Sequence, residues 1–117
     1  MQAILEELNK TSGINGAMLV GSDGIIIAAD LNTGQEDDTV GALAASIVVG
    51  IKKAINRLDQ GMLKHVMIEA ENGKVFLAEA SVGVMVVMAD VNANVGLIRL
   101  EMKSALKRLH AMPVSAG

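Results

Sequence analysis

No cysteine occurs in the chain, which excludes disulfides, zinc–thiolate centres, iron–sulfur clusters and cysteine nucleophiles together. Tryptophan and tyrosine are absent as well, and Phe76 is the single aromatic residue. Single-stranded nucleic acids, and sugars held by stacking, need aromatic faces that this chain does not have. Lys and Arg are dispersed rather than gathered into a run, the formal net charge is −3 and the pI is about 5.3. No footprint for tracking phosphates is present, and nucleic acid is not an expected partner. Long apolar runs are missing too: residues 82–89 fall far short of the roughly 18 needed to span a bilayer. The opening residues include the pair Glu6-Glu7 where an export signal has basic residues before an apolar run. A cytoplasmic protein without membrane insertion is the expectation.

What is present is largely apolar. Hydrophobic residues make up 51% of the 117, charged residues only 20%, and the mean hydropathy of +0.44 is high for a soluble monomer. This length suits one domain, expected over residues 1–112, with an unstructured tail over 113–117. The apolar excess implies that some surface is shared with another chain.

Met1, Ile4, Leu5 and Leu8 lie on one face at helical spacing, and residues 9–13 form a polar, Gly-containing stop. Two apolar runs, 17–20 and 25–29, flank Gly21-Ser22-Asp23-Gly24, whose Asp-Gly pair suits a tight antiparallel hairpin. Residues 31–38 are polar. Thr33, Glu36, Asp37 and Asp38 there put acceptors and negative charge where a helix N-terminus favours them.

A long helix follows, with Val40, Leu43, Ala44, Ile47, Ile51, Ala54, Ile55 and Leu58 as its core-facing stripe. The rest of its first half has almost no charge to meet water, so Gly41, Ala42, Ala45, Val48 and Val49 are assigned to a second contact surface. Small residues let another backbone approach, and the same helix of a second copy across a two-fold axis is the simplest partner. The alternative is a helix buried wholly within one subunit.

Residues 63–70 and 75–80 flank Glu71-Asn72-Gly73-Lys74, where Asn-Gly signals a hairpin. Met67 alternates with His65 and Glu69 on the more polar side of the third strand and is assigned to the partner surface. After the turn Ser81-Val82-Gly83, residues 84–89 are apolar on both faces, which suits a central strand. Val95, Ile98, Met102, Ala105, Leu106, Leu109 and Met112 stripe a final helix ended by Pro113.

The sequence carries no phosphate-binding loop and no dinucleotide fingerprint, so nucleotide chemistry by the chain itself is not expected. His65 and His110 have no second histidine or cysteine at ligand spacing, and residues 36–38 lack the oxygen-ligand loop of a cation site. No catalytic residue, metal or cofactor is assigned.

The order helix, hairpin, long helix, three strands, helix resembles the roadblock/dynein light chain family over residues 4–110. Gly13-Ile14-Asn15-Gly16-Ala17-Met18-Leu19-Val20, followed by Asp23-Gly24-Ile25-Ile26-Ile27-Ala28, resembles the first hairpin of that family. Asn94-Val95-Gly96-Leu97-Ile98-Arg99-Leu100-Glu101-Met102 is similar to the start of its last helix. The resemblance implies an α/β, profilin-like αββαβββα sandwich: a five-stranded antiparallel sheet with helices on both faces. It also implies dimerisation by antiparallel pairing of the long helices and by extension of the sheet through the third strand. The short form here looks most like the bacterial or archaeal regulators, among them MglB-like proteins that stimulate a Ras-like polarity GTPase.

Two functions follow from the resemblance. One is a homodimeric, non-enzymatic regulator that binds a Ras-like small GTPase. The other is a scaffold or motor light-chain adaptor with no effect on turnover. A small-molecule sensor is less well supported, because the aromatic and polar signature of a ligand pocket is missing. For GTPase docking, Lys52, Lys53, Asn56, Arg57 and Gln60 on the polar later half of the long helix are the candidates.

Overall fold

The computed structural model describes residues 1–21, 23–31 and 37–112, the side chains of 37, 38 and 40 excepted. The elements run α1 (Gln2–Leu8), β1 (Ile14–Val20), β2 (Ile26–Leu31), α2 (Asp37–Arg57), β3 (His65–Ala70), β4 (Gly73–Ala80), β5 (Gly83–Ala89) and α3 (Val95–Ala111). The five strands form one antiparallel sheet in the order β2-β1-β5-β4-β3. This is the expected αββαβββα arrangement, with the doubly apolar β5 at the centre. The expected tail, Pro113, Thr33 and Glu36 lie outside the described residues, as do the side chains of Asp37 and Asp38. Among the described residues no helix is long and apolar enough to cross a membrane.

Alternation along the strands divides the interior into two cores, because successive side chains point to opposite faces. Ala17, Leu19, Phe76, Met85 and Val87 face α1 and α3, where Leu5, Ile98, Met102 and Leu109 close over them. Met18, Val20, Leu77, Val84 and Val86 face α2. The N-terminus of α3 is capped by Asn94, whose Oδ1 accepts from the backbone N–H of Leu97 at 3.0 Å.

The second hairpin departs from the Asn-Gly expectation. Ala70 pairs with Gly73, so Glu71 and Asn72 are the turn residues and Gly73 already belongs to β4. Side-chain matching across the strands explains the register, since it sets Val66 against Leu77, Met67 against Phe76, Ile68 against Val75 and Glu69 against Lys74. A turn centred on Asn72-Gly73 would oppose Glu69 to Phe76 and Val66 to Glu79. Lys74 is consequently in a strand rather than a turn; it is buried, and its Nζ donates to the carbonyl of Val91.

The turn into β5 depends on one glycine. Gly83 has φ +146°, and a Cβ there would stand 2.1 Å from the carbonyl oxygen of Val20. Gly83→Ala is expected to cost about 3 kcal/mol, from the strained backbone and the contact with an immovable carbonyl together. The melting midpoint should fall by about 10–15 °C. A thermal scan at fixed protein concentration checks this; a shift under about 2 °C would mean that the hairpin relaxes without strain.

Candidate protein-interaction surface

The residues that α2 sets against the sheet are small or of moderate size. Gly41, Ala44, Ala45 and Val48, at i, i+3, i+4 and i+7, are buried, and the last three pack with Met18, Val20, Leu77, Val84 and Val86. At Gly41 a Cβ would come within 2.9 Å of Ile26 Cγ1, so the lack of a side chain lets the start of the helix sit close on β2.

This corrects the assignment of the helix faces. Gly41, Ala45 and Val48, expected to face a partner, are committed to the interior of their own chain. Leu43 and Ile47, expected in the core stripe, are 59% and 37% exposed. Of the other residues assigned to the partner surface, Ala42 and Val49 are exposed. Met67 is half-buried against the α1/α3 core, on the far side of the sheet from α2. Successive helical positions are about 100° apart, and apolar residues nearly encircle residues 40–51. Periodicity alone therefore left the rotation of the helix open, and the packed side is the one that keeps the bulkier Leu43 and Ile47 off the sheet.

The rotation creates a feature that the sequence reading missed. Leu43, Ile47, Gly50 and Ala54, at i, i+4, i+7 and i+11, form one exposed lane along α2. No charged residue occurs between Asp38 and Lys52. On this face α2 packs on β2, β1 and β5. Beside it, Leu43 and Ile47 overhang a shallow groove of about 150 Å³ whose sheet side is Ile68, Val75, Leu77, Val86 and Met88. β3 is the last strand of the sheet, and its outer backbone edge has no ladder partner among the described residues. Alternation of Val66 and Ile68 with His65, Met67 and Glu69 was the available signal: an apolar strand face with too few helices to cover it.

The later half of α2 is different in character. Lys52, Lys53, Asn56, Arg57 and Gln60 are all exposed, but they are not equivalent. Lys52 Nζ lies 2.6 Å from Glu79 Oε1 on β4, so this lysine ties helix to sheet. Lys53 and Arg57 have no carboxylate partner among the described residues. Leu58, expected in the core stripe, is 65% exposed, and Met62 just beyond the helix is 89% exposed. The helix stops where Asp59 takes a left-handed conformation, φ 55°, and the N–H of Gln60 bonds to the carbonyl of Ile55 at 3.2 Å. The result is an apolar lane that ends in a polar patch containing two exposed apolar side chains.

Comparison with known proteins bears on this arrangement. The model of the Roadblock/LC7 domain family matches residues 1–89. The uncharacterized protein MJ1340 of Methanocaldococcus jannaschii is 40% identical over 109 residues, covering 93% of this chain and 96% of its own. Among solved structures, a Roadblock/LC7 domain from Streptomyces avermitilis superposes with a TM-score of 0.87 at 20% identity, covering 94% of each chain. Myxococcus xanthus MglB does so with a TM-score of 0.86 at 20% identity, covering 92% of this chain and 89% of its own. At that identity, the two structures show a shared fold.

Proposed function

The chain belongs to the Roadblock/LC7 domain family, and on that premise we propose that it works as a homodimer that binds a Ras-like small GTPase and biases its nucleotide cycle. The observation that carries this reading is the uncharged, exposed lane of α2 beside an apolar groove whose Ile68, Val75 and Met88 are only half-buried. A contiguous apolar surface of this kind marks a protein interface. A two-fold axis through the lane sets Leu43 and Ile47 of one chain against those of its copy. Pairing of the two β3 edges then covers the outer backbone groups that have no ladder partner among the described residues.

The GTPase enters through the likeness in fold to MglB and through the character of the far end of α2. Polar residues around exposed Leu58 and Met62 have the make-up of a docking surface, an apolar centre with a polar rim. In the dimer these patches flank the paired helices. The regulator holds no catalytic group of its own in this proposal. It acts by binding one switch conformation of its partner more tightly than the other, which shifts the partner's population toward that state.

The test is retention of partners from a cell extract on the immobilised protein, once with a non-hydrolysable GTP analogue and once with GDP. A small GTPase held mainly in the presence of the analogue is the expected outcome. A motor or scaffold subunit held equally in both would favour the adaptor function instead. Lys53→Glu with Arg57→Glu is expected to weaken GTPase binding at least about tenfold, because charges at the edge of an interface act on encounter and specificity. Their exposure means that the fold should be unaffected. Unchanged affinity in a titration would remove this end of α2 from the docking surface.

A further inference from the structure

The face of the sheet opposite α2 carries a second groove that the proposed function does not use. α1 and α3 cover most of this face, and between α3 and β3 a cavity of about 420 Å³ remains. Phe76, Ala78, Met102 and Leu106 line it with apolar surface. Lys64 and His65 border it from the β3 side, Arg99 and Lys103 from the helix side. Arg99, Met102, Lys103 and Leu106 stand at i, i+3, i+4 and i+7, so one side of α3 presents both the floor and one rim. His65 pairs with Ala78, which puts it beside the floor.

The charge distribution is uneven. This chain has net charge −3 and only ten Lys and Arg residues, yet three of them and a histidine surround one groove. All four are exposed, and among the described residues none is paired with a carboxylate. The acid nearest along this face of β3, Glu69, stands four residues away and opposite Lys74. An apolar floor with cations on both flanks is complementary to an occupant with an apolar stripe and acid on either side of it. A helix laid along the groove between α3 and β3 has that shape, because an α/β layer is completed by the next helix alongside.

We propose that this groove docks an acidic amphipathic segment of a partner protein, with its apolar residues on Phe76, Met102 and Leu106 and its carboxylates toward Lys64, Arg99 and Lys103. The site lies within one chain and stands whether or not the α2 helices pair.

The probe is a fluorescein-labelled synthetic helix of about 18 residues, five turns, with Leu at i, i+3, i+4 and i+7 and Glu on both flanks. One twin peptide replaces every Glu by Lys, a second replaces every Leu by Ser. The acidic amphipathic peptide is expected to bind in an anisotropy titration and to shift the methyl resonance of Met102, assigned with Met102→Leu. Neither twin should bind. Lys64→Glu with Lys103→Glu should weaken binding at least about tenfold, and added salt should weaken it in the unsubstituted protein. Circular dichroism verifies that these variants, altered only at exposed positions, stay folded.

Absence of binding up to millimolar peptide overturns the proposal. So does binding that leaves the Met102 methyl unmoved, and so does equal binding of the Leu-free twin, which would make the site a charged surface only. Retention on phosphatidylserine vesicles through the same cations, with no peptide binding, would overturn it in favour of a membrane surface.

Discussion

Leu43→Glu combined with Ile47→Glu is expected to convert the proposed dimer into a folded monomer. Both side chains are substantially exposed in the single chain, so two carboxylates there remain hydrated and the fold loses no more than about 1 kcal/mol. In a dimer built on this lane, the two-fold axis doubles them, and four carboxylates would be driven into an apolar contact without counter-charges. Each uncompensated burial costs several kcal/mol. Even about 4 kcal/mol in total raises the dissociation constant about a thousandfold. Light scattering on a sizing column should report the monomer mass. Concentration must come from refractive index, because the chain has no Trp or Tyr to absorb. A double variant that still elutes as a dimer would remove the lane from the interface.

Val48→Glu, one residue further along the same helix, is expected to unfold the chain. Val48 is 4% exposed and packs with the side chains of the second core. A carboxylate there meets an apolar environment, at a cost of about 3–5 kcal/mol. That is a large fraction of the stability of an ordinary domain, about 5–15 kcal/mol, and reaches all of it at the lower end. Far-UV circular dichroism with a thermal scan at constant protein concentration should show a lost or steeply lowered transition. A well-folded monomer instead would return Val48 to the subunit interface. Positions 47 and 48 thus test the rotation of α2 by opposite outcomes: Ile47 governs association, Val48 governs folding.

The element order was legible because each signal is local. The short run 84–89 that is apolar on both faces, the three-and-four spacing of Val95, Ile98, Met102 and Leu109, and the Asp-Gly turn before β2 each act over a few residues. The β3–β4 register was not legible, because the Asn72-Gly73 turn preference competes with side-chain matching over six residue pairs, and the matching prevails. Lys53 and Arg57 were recognisable as exposed from their charge, whereas the tie between Lys52 and Glu79 joins residues 27 positions apart and has no trace in either segment. The groove between α3 and β3 was invisible for the same reason. Lys64 and Arg99 belong to separate elements, and each reads singly as a solvated surface cation.

From the sequence alone follow the order of the elements, the two-sided apolar character of the sheet and the existence of more apolar helix surface than one sheet can cover. All of these depend on residue types at fixed short spacing. Which side of α2 turns inward was decided only in the tertiary structure, because residues 40–51 offer apolar side chains in nearly every direction. The helix came to rest on Gly41, Ala44, Ala45 and Val48, where small volume permits the closest contact with Met18, Val20 and Val86. Leu43 and Ile47 were left on the exposed side because bulk that would hold α2 off its own sheet is accommodated where, among the described residues, it is only partly covered.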